Sequence, residues 1–328
     1  MLPETMKTVE MQTPGGPDVL TVGTRPVPGL RDHEVLVRVT AAGVNGPDMV
    51  QRRGHYPPPK GASDLLGLEV SGEIVALGSE VDWWKPGDRV AALTNGGGYA
   101  EYVAIDAGHC LPVPQGVAEV DAAGIPETFF TVWSNCFYDL PDRKGGVFLV
   151  HGGAGGIGST AVQIGAAMGM RVFTTVDGPE AAAYCTGLGA ERCIDFRTED
   201  FVAILREAGG ADMILDIIGG DYFARNIKAS NHDGRIVQIA FNGGSEVTAN
   251  LMPIMLKRLT YTGSTLRSRP DEFKTRIARD LEDRVWPLFG AGGLKPVTHA
   301  VFPFAEARAA HEMMEAAAHT GKILLTPE

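Results

Sequence analysis

Two textures of hydrophobic patterning divide the chain. Up to about residue 125 the apolar positions form short β-branched runs, VLTVGTRPVP, HEVLVRVTAAGVN, SGEIVALG, RVAALT and YAEYVAID, punctuated by PGG, KPGD and NGGG. Such runs bounded by Gly and Pro predict strands and turns with few long helices. From about residue 126 continuous apolar runs alternate with helical spacing. The runs are GGVFLV, MRVFTTV, ERCIDF, ADMILDII, RIVQIAF and LTYTGST; the helical segments are 157–169, 179–188, 198–208, 222–230 and 250–257. A strand buried on both faces reads as an unbroken apolar run, so this alternation predicts α/β structure with a doubly wound parallel sheet of six strands. Beyond residue 266 the pattern predicts an Arg/Glu-rich helix over 271–289, a strand at THAVFPF, an Ala/Glu/His helix and a final strand, GKILLTP.

Composition narrows the class. The 328 residues carry a net charge of −11 and are 44% hydrophobic. No apolar run reaches the ~18–20 residues that span a bilayer, and the first residues lack a basic segment followed by an apolar one, so no secretory signal is expected. The acidic balance argues against a broad nucleic-acid or anionic-membrane face. Cys110, Cys136, Cys185 and Cys193 are scattered and form no CxxC, which fits a reducing cytoplasm and argues against a cysteine-built metal site.

The stretch HGGAGGIGST, residues 151–160, places Gly153, Gly155 and Gly158 in a GxGxxG. It follows a predicted strand and opens a predicted helix, the context that makes the motif informative. The first glycine permits a tight turn, the second lets backbone N–H groups approach a pyrophosphate, and the third allows close helix–strand packing. The helix N-terminus adds partial positive charge for the anion. Gly156 and Ile157 lie in the same grip.

Taken together, AAGVNGPDMVQRRGHYPPP (41–59), LGLEVSGEIVALG (66–78), WKPGDRVAAL (84–93), GGYAEYVAI (97–105), PETFFTVWSN (126–135), VHGGAGGIGSTAVQIG (150–165) and HTGKILLTP (319–327) resemble the medium-chain dehydrogenase/reductase superfamily, in its zinc-free quinone oxidoreductase (zeta-crystallin-like) branch. The resemblance covers nearly the whole chain in the expected order. It implies a β-rich GroES-like catalytic domain from residues 1–125 and 266–328, with a Rossmann dinucleotide-binding domain, 126–265, inserted into it.

Zinc-dependent relatives hold their metal with a cysteine in the segment matching 43–48 and a histidine in that matching 67–69. Here those places carry Asn45 and Gly67-Leu68-Glu69. A catalytic zinc needs three N, S or O protein ligands, and the four-cysteine lobe of those relatives is missing as well, so no metal is expected. No HxH or HExxH occurs; His311 and His319, eight apart on a predicted helix, read as a solvated face.

Without a Lewis acid, alcohol oxidation is disfavoured, whereas hydride transfer to a quinone or enone needs only a placed nicotinamide and a hydrogen bond for the oxyanion. Asn45, Asp48 and Tyr56 are the catalytic candidates, and the resemblance sets them beside the nicotinamide. Tyr56 can donate a proton or an oxyanion hydrogen bond, or simply stack on a flat substrate. Asp48 can equally cap the helix that follows it. His151, at a strand end, reads as a hydrogen-bonded structural histidine, and Trp133 and Cys136 as packing. For the cofactor, the resemblance implies contacts from Asn45, Thr131, Ile218, Phe241, Ser264, Leu266 and Lys322 besides the glycine loop.

Many relatives use NADPH, but the local residues favour NAD(H), with NADP(H) as the alternative. Asp177 follows the second strand of the alternating region, where an acidic side chain hydrogen-bonds the ribose 2′-OH and repels a 2′-phosphate. That repulsion is about 3 kcal/mol at ~5 Å and an effective dielectric of ~20, roughly a hundredfold in affinity. NADPH-using relatives have a lysine at the place of Ala181 and a tyrosine at that of Phe196. On the other reading Asp177 caps helix 179–188, and Arg197, Arg267 or Arg269 supplies positive charge. The functional expectation is an NAD(P)H-dependent quinone oxidoreductase, the alternative an enone or enoyl-thioester double-bond reductase. The partners are a small-molecule substrate and a second copy of the chain, joined through the edge strand LTYTGST; no nucleic acid or membrane partner is expected.

Overall fold

The computed structural model describes residues 2–327. They form two compact units: one runs up to Phe130 and resumes at Arg267, the other is Thr131–Leu266.

In Thr131–Leu266 six parallel strands lie in the order Arg192–Asp195, Arg171–Val176, Val147–His151, Ala211–Asp216, Ser230–Gln238 and Thr260–Gly263. The chain enters in the middle, winds to one edge, then crosses back to wind toward the other. This is the Rossmann arrangement, whose ligands bind outside the carboxyl ends of the strands where the winding reverses. The continuous apolar runs explain the sheet: Leu149, Phe173, Ile194, Ile214 and Ile236 are buried together with Phe201, Leu205 and Ile227 from the covering helices. Ser230–Gln238 begins five residues before the apolar run RIVQIAF, because Ala211 pairs with Ser230 before an irregularity in the ladder. The polar start SNHDG conceals that part of the strand from hydrophobic patterning.

In the other unit a sheet runs Thr298–Pro303, Lys322–Thr326, Glu34–Val44, Glu69–Leu77, Arg89–Leu93 and Cys110–Pro112, with Tyr102–Asp106 also paired to Glu34–Val44. This is the GroES-like body. Glu34–Val44 is its hub, pairing with three strands and changing register twice against Glu69–Leu77. Such irregularities bend a strand and allow the sheet to curl. Thr5–Met11 pairs antiparallel with Leu20–Pro26, a hairpin arm whose first strand the sequence reading did not include. The helix expected over 271–289 is two helices, Asp271–Arg284 and Trp286–Gly290. Pro287 explains the break, since it has no N–H to give the carbonyl four residues back and its ring crowds that carbonyl, whereas it is tolerated in the first turn of the new helix.

Candidate active site

The dinucleotide residues expected from sequence gather at one end of the Rossmann sheet. The glycine loop follows Val147–His151, Asp177 follows Arg171–Val176, Phe196 follows Arg192–Asp195, and Ser264 follows Thr260–Gly263. Ile218 lies two residues beyond Ala211–Asp216, where its N–H donates to Asp216 Oδ1 at 2.6 Å; Phe241 lies three beyond Ser230–Gln238. Each is thus at or just past a strand's carboxyl end. Gly158 has no room for a side chain, because a Cβ there would collide with the Gly152 carbonyl, whereas a Cβ at Gly155 would meet the same carbonyl only at an ordinary contact distance of 3.8 Å. The helix that follows, Gly156–Ala167, is capped by Gly155 and starts without a side-chain cap. Its first amides are therefore left for an anion. The loop's shape fits a pyrophosphate.

Asp177 stands at the N-cap of Gly178–Thr186 but makes no capping bond. Its carboxylate instead accepts from Arg197 at 2.6 Å, both side chains being well exposed. Thr131 is buried, its carbonyl accepting from Asn135 Nδ2 at 2.8 Å, and Asn135 Oδ1 accepts from Ser264 Oγ at 2.9 Å. Leu266 is buried at the end of this unit, while Phe196 and Phe241 are exposed. His151 is structural, as expected: it is buried, with Nε2 at 2.8 Å from Asn226 Oδ1 and Nδ1 at 3.2 Å from Thr175 Oγ1. Trp133 and Cys136 are buried too.

In the catalytic unit the short helix Gly46–Arg52, begun by Asn45 and Pro47, carries the candidates. Asn45 is buried. Its Oδ1 accepts from Lys322 Nζ at 2.5 Å and its Nδ2 donates to Glu69 Oε1 at 2.9 Å and, weakly, to Gly43 O at 3.4 Å. Lys322 completes the triangle, 2.6 Å from Glu69 Oε1 and 3.3 Å from the Val44 carbonyl. Glu69 fits only because position 43 is glycine; a side chain there would collide with its carboxylate. The ammonium of Lys322, expected beside the cofactor, is thus committed to three protein oxygens.

Asp48 is fully buried and accepts from the N–H of Asn45 at 2.9 Å, the N–H of Gly67 at 3.1 Å and the Tyr99 hydroxyl at 3.2 Å. Burial pushes its pKa up to about 6 against these donors and Lys322. Behind it runs a directed chain. Arg52 only donates, so His311 Nδ1, 3.0 Å away, accepts from it. Burial and the Arg52 charge lower the His311 pKa to about 3, so the ring is neutral and carries its hydrogen on Nε2. That hydrogen goes to the Tyr99 oxygen at 3.2 Å, and Tyr99 in turn donates to Asp48. His311 is therefore not on a solvated face: helix Ala307–Glu315 turns it inward, and His319 lies beyond that helix's end.

Tyr56 is different. It is half-buried, its hydroxyl has no hydrogen-bond partner among the described residues, and the Arg267 guanidinium lies 5.4 Å from its ring centre. Burial and the Glu127 carboxyl raise its pKa, and Arg267 opposes them. Arg267 is itself buried, bound to Asn95 O at 2.7 and 3.0 Å and to Gln51 Oε1 at 2.6 Å, with no carboxylate in ion-pair range among the described residues. A cavity of ≈ 570 Å³ in this unit is lined by Ser63, Thr94, Asn95, Arg267, Arg269 and Lys274 among others, and its lining includes none of Asn45, Asp48 or Tyr56.

Glu69, Tyr99, Glu127 and Arg52 were not among the sequence candidates, and Arg267 was named there only as a charge for a 2′-phosphate, whereas it is bound to Asn95 and Gln51. One signal was available for Glu69: a carboxylate in the middle of the run LGLEVSG, matched by the lysine that opens KILL. Among the described residues no group of three His, Cys, Asp or Glu side chains is placed to hold a metal ion, and no helix is long and apolar enough to cross a membrane.

Residues 31–115 match the family model described as the alcohol dehydrogenase GroES-like domain, and residues 156–282 the one described as zinc-binding dehydrogenase. The chain is 30% identical over 332 residues to a quinone oxidoreductase of Mus musculus, spanning 98% of this chain and 97% of that protein. The quinone oxidoreductase of Escherichia coli, solved with NADPH, superposes with a TM-score of 0.83 at 27% identity, over 98% of this chain and 100% of that one. The CurK enoyl reductase gives a TM-score of 0.85 at 26% identity, over 99% of each chain. With both halves matched in order and nearly the whole length aligned, the chain belongs to the medium-chain dehydrogenase/reductase superfamily, in its quinone oxidoreductase family, and is an oxidoreductase.

Proposed function

We propose that this oxidoreductase is a zinc-independent NAD(P)H:quinone oxidoreductase with NAD(H) as its favoured cofactor. The observation that carries the reading is the Tyr56 hydroxyl: a half-buried phenol without a hydrogen-bond partner among the described residues, beside a buried guanidinium that has no carboxylate in ion-pair range among them. A hydrogen-bond donor held next to positive charge in a poorly solvated site stabilises a developing oxyanion. Asn45 assists: its amide is fixed by Lys322 and Glu69, and the weakly used Nδ2 hydrogen is the one it can share with a substrate oxygen. Asp48 acts by position, holding the first turn of the helix through Asn45 and tying it to Gly67. Metal independence is supported by the donors at positions 45 and 67–69, an amide already bonded, a glycine, a leucine and an ion-paired carboxylate.

The Gly153–Gly158 loop and the first turn of Gly156–Ala167 would hold the pyrophosphate, with Asp177, Phe196, Ile218, Phe241, Ser264 and Leu266 at or just past the other strand ends and Thr131 supplied by helix Pro126–Cys136. When bound, a reduced nicotinamide supplies the hydride. Asp177 supports NAD(H), since its exposed carboxylate suits a ribose hydroxyl; Arg197 beside it is what favours the NADP(H) alternative. The test is kcat/KM for NADH against NADPH with one quinone, and a tenfold preference for NADPH overturns the assignment.

A second reading, reduction of an enone or enoyl-thioester double bond, is favoured by the likeness to CurK, whose description is an enoyl reductase. A panel of 1,2-naphthoquinone, 1,4-benzoquinone, simple enones and crotonyl-CoA separates the two. Fast turnover of an enone with sluggish quinones would replace the first reading by the second.

The assembly we propose is a homodimer. Thr260–Gly263 is a sheet edge, and beside it Leu251, Met252, Met255 and Leu256 are exposed on and next to the helix Met252–Lys257, Met255 by 70%. An apolar patch next to unpaired strand groups calls for a cover; a monomeric mass by light scattering at micromolar concentration refutes the dimer. All four cysteines are free, which supports a reducing, cytoplasmic setting.

A further inference from the structure

The cavity of ≈ 570 Å³ in the catalytic unit takes no part in the proposed reduction. Its walls carry six lysines and arginines, Arg25, Arg31, Lys60, Arg267, Arg269 and Lys274, against three carboxylates, in a chain whose net charge is −11. The three carboxylates already face basic groups of the same wall: Glu34 lies 3.8 Å from Arg31, Asp271 3.6 Å from Lys274 and Asp106 3.9 Å from His33. Arg25 is held from outside the wall, by Asp64 at 2.7 Å and Glu10 at 3.0 Å. Lys60, Arg267 and Arg269 are left with no carboxylate in ion-pair range among the described residues.

Arg267 shows most clearly what the cavity lacks. It is buried and bound to neutral acceptors alone, the Asn95 carbonyl at 2.7 and 3.0 Å and Gln51 Oε1 at 2.6 Å. Those bonds spend three of the five N–H groups of a guanidinium. Asp48 and Glu127 act on its charge only from beyond ion-pair range. The turn NGGG, residues 95–98, builds the cradle. Asn95 Oδ1 accepts from the buried Lys274 Nζ at 2.8 Å, so this one residue holds both buried cations. Gly96 has a φ of +127°, and a Cβ there would come within 3.0 Å of Arg267 Nη2 and 2.7 Å of the Ser63 carbonyl. Keeping a buried cation on neutral acceptors is costly, and an anion beside it offsets that cost.

We propose that this cavity binds an organic dianion, a phosphomonoester or a dicarboxylate, through the buried Arg267 and the exposed Arg269 and Lys60. Three unmatched cations call for more than one negative charge, and a guanidinium fork matches the paired oxygens of either group. The volume suits a ligand of metabolite size, and Met6, Leu65, Leu93 and Val103 supply apolar wall for its carbon body. The lining includes none of Asn45, Asp48 or Tyr56, so the inference stands whether the protein reduces quinones or enones.

Titration calorimetry with phenyl phosphate, phthalate and the neutral benzyl alcohol tests it. Phenyl phosphate, phthalate or both should bind with a Kd below about 1 mM and weaken tenfold or more as salt rises from about 20 to about 500 mM, while benzyl alcohol does not bind. Which of the two anions binds tells phosphate from carboxylate. The double variant Lys60→Gln with Arg269→Gln, at two exposed positions, should lose tenfold or more in anion affinity with circular dichroism unchanged. Arg267→Gln should lose as much, and the double variant carries the test if Arg267→Gln does not fold. Binding of neither anion, or equal binding of benzyl alcohol, overturns the proposal. So does an anion affinity that the double variant keeps, since the anion would then sit elsewhere, on the phosphate loop for instance.

Discussion

Lys322 Nζ and Glu69 Oε1 lie 2.6 Å apart with both side chains almost wholly buried, and Asn45 joins them from the helix that carries the candidate site. Removing one member leaves a buried charge without its counterion, which typically costs about 3–5 kcal/mol. Lys322→Met is expected to lower the urea midpoint accordingly. The double variant Lys322→Met with Glu69→Gln should be more stable than the sum of the two single losses predicts, because the pair is coupled. Additive losses in a double-mutant cycle would count against the ion pair.

His311 should make the protein acid-sensitive. Its folded pKa is about 3 because burial and Arg52 disfavour the cation, against about 6.5 in an unfolded chain. Between those values the unfolded state binds more protons, so stability rises with pH there and is lost as pH falls from about 6.5 toward 3. Asp48 contributes the opposite slope between about 4 and its folded value of about 6, and it does so in wild type and variant alike. The drop in unfolding free energy from pH 7 to pH 5 should therefore be about 2 kcal/mol larger in wild type than in His311→Asn. Equal drops would show that the ring is charged in the fold.

Tyr56→Phe should leave the fold intact, since the hydroxyl has no partner to lose, and reduce kcat by about ten- to a hundredfold, the usual scale for a lost proton donor. An unchanged kcat would mean that Tyr56 only stacks on the substrate.

Gly158→Ala puts a methyl group into the Gly152 carbonyl. Overpacking of this kind costs about 1–3 kcal/mol. Because the strain falls on the phosphate loop, dinucleotide affinity by fluorescence titration should drop at least tenfold. Undiminished affinity would move the cofactor away from this loop.

Asp177→Ala removes one carboxylate and frees Arg197, its present partner. The NADPH-to-NADH ratio of kcat/KM should rise by about ten- to a hundredfold, the scale of one screened charge pair. A ratio that stays put would assign the choice of dinucleotide to other residues.

The sequence by itself determined the Rossmann sheet, the phosphate loop and the GroES-like strands, because these rest on local period and glycine placement: a strand buried on both faces must be apolar throughout, and a tight strand–helix turn must be glycine-rich. It also marked Asn45, Asp48 and Tyr56, which sit within one short segment. What only the tertiary structure decided is which of these groups are already committed. Asp48 turns inward to Tyr99, Asn45 is held by a lysine 277 residues away, and His311 is drawn from an apparent surface helix into contact with Arg52. Tyr56 keeps a hydroxyl without a hydrogen-bond partner among the described residues, and the Glu127 N–H is set against Glu69 across 58 residues of chain. Long-range pairing of buried polar groups leaves no period in the sequence. Each partner looks like an isolated polar residue until the fold brings it to the other, and burial then forces them to satisfy one another.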